Sequence, residues 1–360
     1  MPADLTAAPD AKSRIRVICH NGDYVTPDKA TIRVTAPGLE FALLVFEGIR
    51  GYRNDGDDQT YVFRLKEHLD RLAFSCRMMR FEGTPSAEQL EEAVAETIRR
   101  NDFREDVYIR IQIYIDDWGD MNSTGPVGWD VIVRPRPRIA AFHEGRRFKV
   151  SSWRRLADDA SPPRIKASAN YLNSRLAGLE AKAAGYDNAI LLNPDGSLAE
   201  GPGGCLFILR DGKLLTPGVA DGILESVTRA TLLELARDMG IPVEERRIGR
   251  TELHLASEGF YCGTGQEMTP MLSVDDLALG DGRPGPVTRR LQDAYDRIVR
   301  GLDLILLGRA RKSRSGLQPA RPQWPPVHPD PQKHPLVHWH PSCHAAGHAG
   351  QIPAGDTEAG

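Results

Sequence analysis

The stretch "DVYIRIQIYID", beginning at Asp106, alternates apolar and polar side chains without a break. A strand of period two sends one set of side chains to a core and the other set away from it. Val107, Ile109, Ile111 and Ile113 form the apolar set; Tyr108, Arg110, Gln112 and Tyr114 form the other. Such a chain builds a sheet with one core face and one face able to line a polar cavity. Further on, "RPRPRIAAFHEG" from Arg134 ends all periodicity. Proline removes amide donors and fixes φ, so this stretch reads as an extended linker between domains.

The flanking segments mix strands and helices. Asn21-Gly22 lies between two short apolar runs and marks a hairpin. Leu65, Leu69, Leu72 and Cys76 recur at helical spacing, so a strand gives way to a helix near Arg64. Ser86 and Gln89 are spaced as the capping box of a second helix. Beyond the linker come the strand "FKVSSW", a helix "NSRLAGLEAKAAGY" stopped near Gly185, and hairpins turned at "NPDG" and "RDG". A helix "ESVTRATLLELARDMG" ends at Gly240, and "HLASEGFYCGTGQEMTP" reads as helix end, strand and glycine-rich turn.

Composition narrows the function. The 360 residues leave room for two ordinary domains, and 26% charged residues fit a soluble globular chain. A net charge of −3 gives no footprint for nucleic acid, and no apolar run has membrane-spanning length. The N-terminus lacks the hydrophobic centre of a secretory signal. Cys19, Cys76, Cys205, Cys262 and Cys343 form no CxxC pair, so reduced thiols in a cytoplasmic protein are expected, without zinc or disulfides. From about Ala310, Pro, His, Gly, Arg and Ser dominate, and six of the ten histidines fall there. That tail is read as a disordered extension rather than a metal site.

One lysine draws attention. Lys166 lies among small residues in "RIKASANYLNSRL", with Tyr171 five positions on. A buried lysine is costly unless its pKa falls or it is bound covalently. A pyridoxal phosphate site needs such a lysine for a Schiff base, an acid beside the ring nitrogen and a phosphate cradle of helix N-terminal amides. Glu200 in "SLAEGPGGCLF" is the candidate acid. Ser226, Val227 and Thr228 open a helix whose amides suit phosphate, Thr264 and Gly265 add small donors, and Arg64 is a candidate guanidinium. Singly, each is an ordinary surface, turn or cap residue; together they form a constellation.

The order of these parts resembles the class IV pyridoxal-phosphate-dependent aminotransferases, and among them the branched-chain amino acid aminotransferases. The resemblance rests on "VFEGIRGY", "YVFRLKEHLDRL", "YIRIQ", "SSWRR", "KASANYLNSRLAGLEAKAAGYDNAILLN", "AEGPGGCLF", "GILESVTR" and "FYCGTGQEMTP", and covers roughly residues 15 to 305. It implies a mixed α/β (α+β) fold-type IV architecture: a small N-terminal α/β domain over 1–133, a linker over 134–145, a large C-terminal cofactor domain over 146–309, and the tail over 310–360. It makes Lys166 the Schiff-base lysine, Tyr171 the partner of the cofactor's phenolic oxygen and Glu200 the acid on the ring nitrogen. Arg64, Val227, Thr228 and Thr264 become phosphate-binding positions. Phe46, Tyr108 and Arg110 become substrate-pocket positions, with Arg110 receiving the side-chain carboxylate of glutamate. Phe41 and Gly265 complete the expected substrate pocket. The family commonly has Tyr-Gly where this chain has Phe41-Ala42, a polar residue and asparagine at Gly204-Cys205, and glycine at Ser226.

The implied reaction is ping-pong transfer of the amino group of a branched-chain or other aliphatic L-amino acid to 2-oxoglutarate. Small amino acids and 2-oxo acids are its partners, and the resemblance implies a homodimer or higher homo-oligomer. D-amino acid transaminase, aminodeoxychorismate lyase, or an aminotransferase for an unusual amino acid in a secondary pathway are the alternatives within the same fold.

Overall fold

The computed structural model describes residues 14–302 and the backbone of Pro326–Val327. The first sheet uses β1 (Ile18–His20), β2 (Asp23–Val25), β3 (Leu44–Asn54), β4 (Gln59–Val62), β5 (Val107–Ile115) and β6 (Val127–Pro135). Its order is β4-β3-β5-β6-β1-β2, with Pro326–Val327 pairing antiparallel to β4 at the edge. Asn21 and Gly22 both take positive φ, 53° and 93°, which makes the tight turn between β1 and β2.

A short α1 (Pro37–Glu40) precedes β3, and two longer helices, α2 (Leu65–Met78) and α3 (Ala87–Asn101), follow β4. The expected capping box is present: Ser86 Oγ accepts from the Gln89 amide at 3.2 Å, and Gln89 Oε1 accepts from the Ser86 amide at 2.8 Å. The leucine stripe of α2 and the apolar face of α3 pack on the isoleucines of β5, forming one core.

The proline-rich segment departs from the expected linker. Arg134 and Pro135 complete β6, opposite Tyr108 and Val107. A residue without an amide donor is tolerated where the ladder ends. Ala141–Glu144 forms α4, which leaves Arg136 to Ala140 as irregular chain.

The second sheet contains β7 (Arg146–Arg154), β8 (Asn188–Leu192), β9 (Cys205–Arg210), β10 (Lys213–Thr216), β11 (Val243–Glu245), β12 (Glu258–Gly263) and β13 (Glu267–Val274). Its order is β11-β10-β9-β12-β13-β7-β8. The helix α5 (Tyr171–Ala183) covers β7 and β8, while α6 (Val227–Asp238) and α7 (Pro286–Val299) pack beside β9 and β12. The "RDG" turn closes the β9–β10 hairpin, with Asp211 and Gly212 at φ of 50° and 72°. The "NPDG" turn pairs Leu192 with Leu198, flanked by the Asn193 amide on the Ser197 carbonyl at 2.8 Å and the Ala199 amide on the Leu191 carbonyl at 3.0 Å, while the outward Leu198 amide bonds Ile248.

The two sheets share a core. Tyr52, Tyr61 and Phe63 of the first pack among Phe207, Phe260 and helices α6 and α7 of the second. The cleft described next lies along this junction. Cys19, Cys76, Cys205 and Cys262 are free and buried. Among the described residues no helix is long and apolar enough to cross a membrane, and no group of side chains is arranged to hold a metal. The histidine-rich tail and Cys343 lie outside the described residues, apart from the backbone pairing noted above.

Candidate active site

Lys166 is reached by a loop after β7 and is followed by a 3₁₀ turn, Ser168–Asn170, that leads into α5. Main-chain groups of the loop bond to β3 and to α2 of the first half. The Lys166 carbonyl accepts from the Phe46 amide at 3.1 Å, and the Lys166 amide donates to Ser75 Oγ at 3.1 Å. Asn170 holds the loop from within, its Nδ2 donating to the carbonyls of Pro162 and Ile165 at 2.9 and 3.0 Å. From this anchor Lys166 Nζ donates to Tyr171 Oη at 2.8 Å and sits 4.7 Å from the centre of the Phe46 ring.

A cavity of about 330 Å³ surrounds that amine. Phe46, Tyr108, Arg110, Lys166, Tyr171, Glu200, Ser226, Thr264 and Gly265 all line it, so these expected site residues come together. Glu200 is only 4% exposed. Burial pushes its carboxyl above the usual range, and Arg155, whose Nη2 lies 2.5 Å from Oε1, pulls it back. Cys205 Sγ stands 3.6 Å from the other carboxylate oxygen. Arg110 lays its guanidinium 3.4 Å over the Phe46 ring. Gly48 makes room for Tyr108 across the β3–β5 pair: a Cβ there would collide with the Tyr108 hydroxyl.

Two expectations need correction. Arg64 does not line the cavity. It precedes α2 in a left-handed conformation (φ 50°), and its guanidinium is taken by Glu67 at 2.7 Å and Thr231 at 2.9 Å. Arg71, two helical turns on, lines the cavity instead. Glu47 holds Arg71 through Nε and Nη2 at 2.7 and 2.8 Å, and His68 Nδ1 lies 2.7 Å from the same carboxylate. Burial alone would raise Glu47, but Arg71 and His68 outweigh it and hold the carboxyl well below its usual value. Phe41 is the second correction. It is 43% exposed at the end of α1 and does not line the cavity, and Ala42 beside it takes φ of +55°. Without glycine's freedom that backbone costs about 1 kcal/mol.

Val227 and Thr228, expected to act through their amides, have side chains buried in α6. They are the first residues of that helix, so their amides have no intrahelical carbonyl to bond. Ser226 is the N-cap, with Oγ accepting from the Arg229 amide at 3.2 Å. Gly204 has a packing reason of its own, since a Cβ there would strike the Cys262 carbonyl.

Against this geometry, the family model for "Amino-transferase class IV" matches residues 44–274. The chain belongs to the class IV aminotransferases. The branched-chain-amino-acid aminotransferase of Escherichia coli (strain K12) is 40% identical over 285 residues, covering 77% of this chain and 91% of that one. A probable branched-chain-amino-acid aminotransferase of Aquifex aeolicus is 39% identical over 291 residues, covering 78% and 91%. The crystal structure of the branched-chain amino acid aminotransferase from Thermobaculum terrenum in its PLP form superposes with a TM-score of 0.76 at 40% identity, covering 80% of this chain and 95% of that one.

This class IV aminotransferase therefore has the fold-type IV architecture, and family membership implies pyridoxal phosphate. The donor set fits that group: an amine beside a phenol, a buried carboxylate held by an arginine, and a helix N-terminus with Arg71 nearby. Arg71, Arg155, Glu47, His68 and Gly48 were missed by sequence reasoning. A signal for Arg71 did exist: Arg64, His68, Arg71 and Ser75 form a helical ridge beside the leucine stripe, and His68 and Ser75 are buried.

Proposed function

We propose that the enzyme transfers the amino group of a branched-chain or other aliphatic L-amino acid to 2-oxoglutarate, in ping-pong order, with pyridoxal phosphate in the cleft. The observation that carries this reading is Lys166 Nζ held at 2.8 Å by Tyr171 inside the cavity that buries Glu200. When bound, pyridoxal phosphate supplies an aldehyde that links to amines and a ring that accepts electrons. Lys166, Tyr171, Glu200, Arg71, Thr264 and the first amides of α6 are the groups that would hold it.

The chain's own residues then divide the work. Lys166 Nζ takes and returns the proton at the substrate's α-carbon. Tyr171 fixes the direction of that amine. Arg155 holds Glu200 in one orientation and favours its charged form, against the burial that opposes it. Phe46 offers an apolar wall to an aliphatic side chain, and Arg110 offers a guanidinium to the distal carboxylate of glutamate. A pocket of this kind separates side chains differing by one methylene by only about 1–3 kcal/mol, so leucine, isoleucine and valine are all expected donors. The names of the relatives support the branched-chain assignment. The same reading takes the enzyme to be a cytoplasmic homodimer. Exposed Val34, Leu39, Trp118 and Met121 support self-association.

The test is a panel of amino donors with 2-oxoglutarate, using wild-type holoenzyme and Lys166→Ala. Branched-chain donors should react with parallel-line kinetics, and the variant should lose at least about 10²-fold in rate. A Lys166→Ala protein that transfers amino groups at the wild-type rate would overturn the assignment.

A further inference from the structure

We propose that Arg134 and Arg136 join Arg110 in an extended anion-binding subsite beside Tyr108 and Gly265, which selects dicarboxylic amino and 2-oxo acids of five or six carbons. This deepens the transaminase reading above and rests on it. The residues come from neighbouring strands. Arg134 is the cross-strand partner of Tyr108, on the same face, and its guanidinium lies 5.0 Å from the Tyr108 ring centre. Arg110 is two residues along from Tyr108, on that same face. Arg136 follows the end of β6, with Nη2 3.4 Å from the carbonyl of Gly265, which lines the cavity.

What distinguishes the three is their lack of counter-charge. Among the described residues no ion pair engages Arg110, Arg134 or Arg136, and the buried Nε of Arg136 has no hydrogen-bond partner. The carboxylates nearby are committed elsewhere. Glu267 is held by Arg138 at 2.7 Å, and Asp106 by Arg300 at 2.8 Å. Burial lowers the pKa of both Arg110 and Arg136, and neighbouring arginines lower Arg136 further. Arg110 lines the cavity, and Arg134 and Arg136 stand next to its lining residues Tyr108 and Gly265; gathering guanidinium groups there without carboxylate partners is unfavourable unless an anion joins them. Guanidinium binds carboxylate with two parallel hydrogen bonds, so a distal carboxylate is the ligand that this chemistry recognises. Spread over two strands and the following turn, the three cations can meet that carboxylate at more than one distance from the reacting carbon, which is why the longer chain is included.

The experiment titrates holoenzyme by calorimetry with glutarate and adipate, and with 4-methylpentanoate as an apolar monocarboxylate. Wild type, Arg134→Gln, Arg136→Gln and Arg136→Lys are compared. The ratio of dicarboxylate to monocarboxylate affinity should fall about tenfold in each glutamine variant, which is 1.4 kcal/mol. The lysine variant should recover part of that loss, as a structural role would not predict. A fall of less than threefold in both glutamine variants overturns the proposal. Failure of the underlying transaminase reading shows separately, as wild-type holoenzyme that moves no amino group from any donor while its dicarboxylate titration still reports binding.

Discussion

His68 is buried to 1% exposure, with Nδ1 2.7 Å from Glu47. Burial lowers its pKa, and the neighbouring carboxylate only partly restores it. The unfolded chain therefore takes up a proton as pH falls through about 6.5, while the folded chain takes it up later. The stability contributed by neutral His68 is present above that pH and is lost as pH falls below it. His68→Gln should flatten the decline of melting temperature from about pH 6.5 downward; an unchanged slope would contradict this. Glu47 acts with the same sign at lower pH, since its carboxyl is also held low in the folded state. At this scale the meeting of Lys166, Tyr171 and Glu200 in one cavity was legible, because a motif fixed each as a single residue. The sequence was not legible where similar residues share a ridge or a doublet. Arg64 and Arg71 are spaced as if on one helical face, but Arg64 falls just before α2 in a left-handed conformation, and only Arg71, held by Glu47, reaches the cavity. Arg154 and Arg155 pose the same problem at the end of β7.

Among the elements, α6 meets the cavity at its start, where Ser226 lines it. Ser226 caps it through Arg229, and the family's frequent glycine at that position would give no such bond. Ser226→Ala should lower the unfolding free energy by about 1 kcal/mol, read by denaturant titration. It should also weaken phosphate binding at the cavity, read by titration with inorganic phosphate. Helices and strands with strong periodicity were readable in advance: the alternation of β5, the leucine stripe of α2 and the capping box of α3 all stand as expected. The misread element was one set by a partner distant in sequence. Pro135 ends a strand because β5 lies opposite it.

Across the molecule, one helix of the second half is riveted to the first sheet. Arg300, just past α7, donates to both oxygens of Asp106 at 2.9 and 2.8 Å and to the Arg53 carbonyl at 2.7 Å. Asp106 also accepts from the Arg53 amide at 2.9 Å. Tyr52 and Tyr295 meet hydroxyl to hydroxyl at 3.3 Å in the shared core. Asp106→Ala leaves Arg300 with Asp296 as its remaining carboxylate and takes the acceptor from the Arg53 amide, so roughly 1–3 kcal/mol of stability should be lost. A variant within 1 kcal/mol of wild type in chemical denaturation would show that the junction does not depend on this pair. The main chain of Lys166 belongs to the same junction, bonded on one side to Phe46 of β3 and on the other to Ser75 of α2. The Lys166 amine thus takes its coordinates from both layers at once. Neither half of the polypeptide, produced alone, carries enough information to aim it, so chemistry begins only after the two layers have docked.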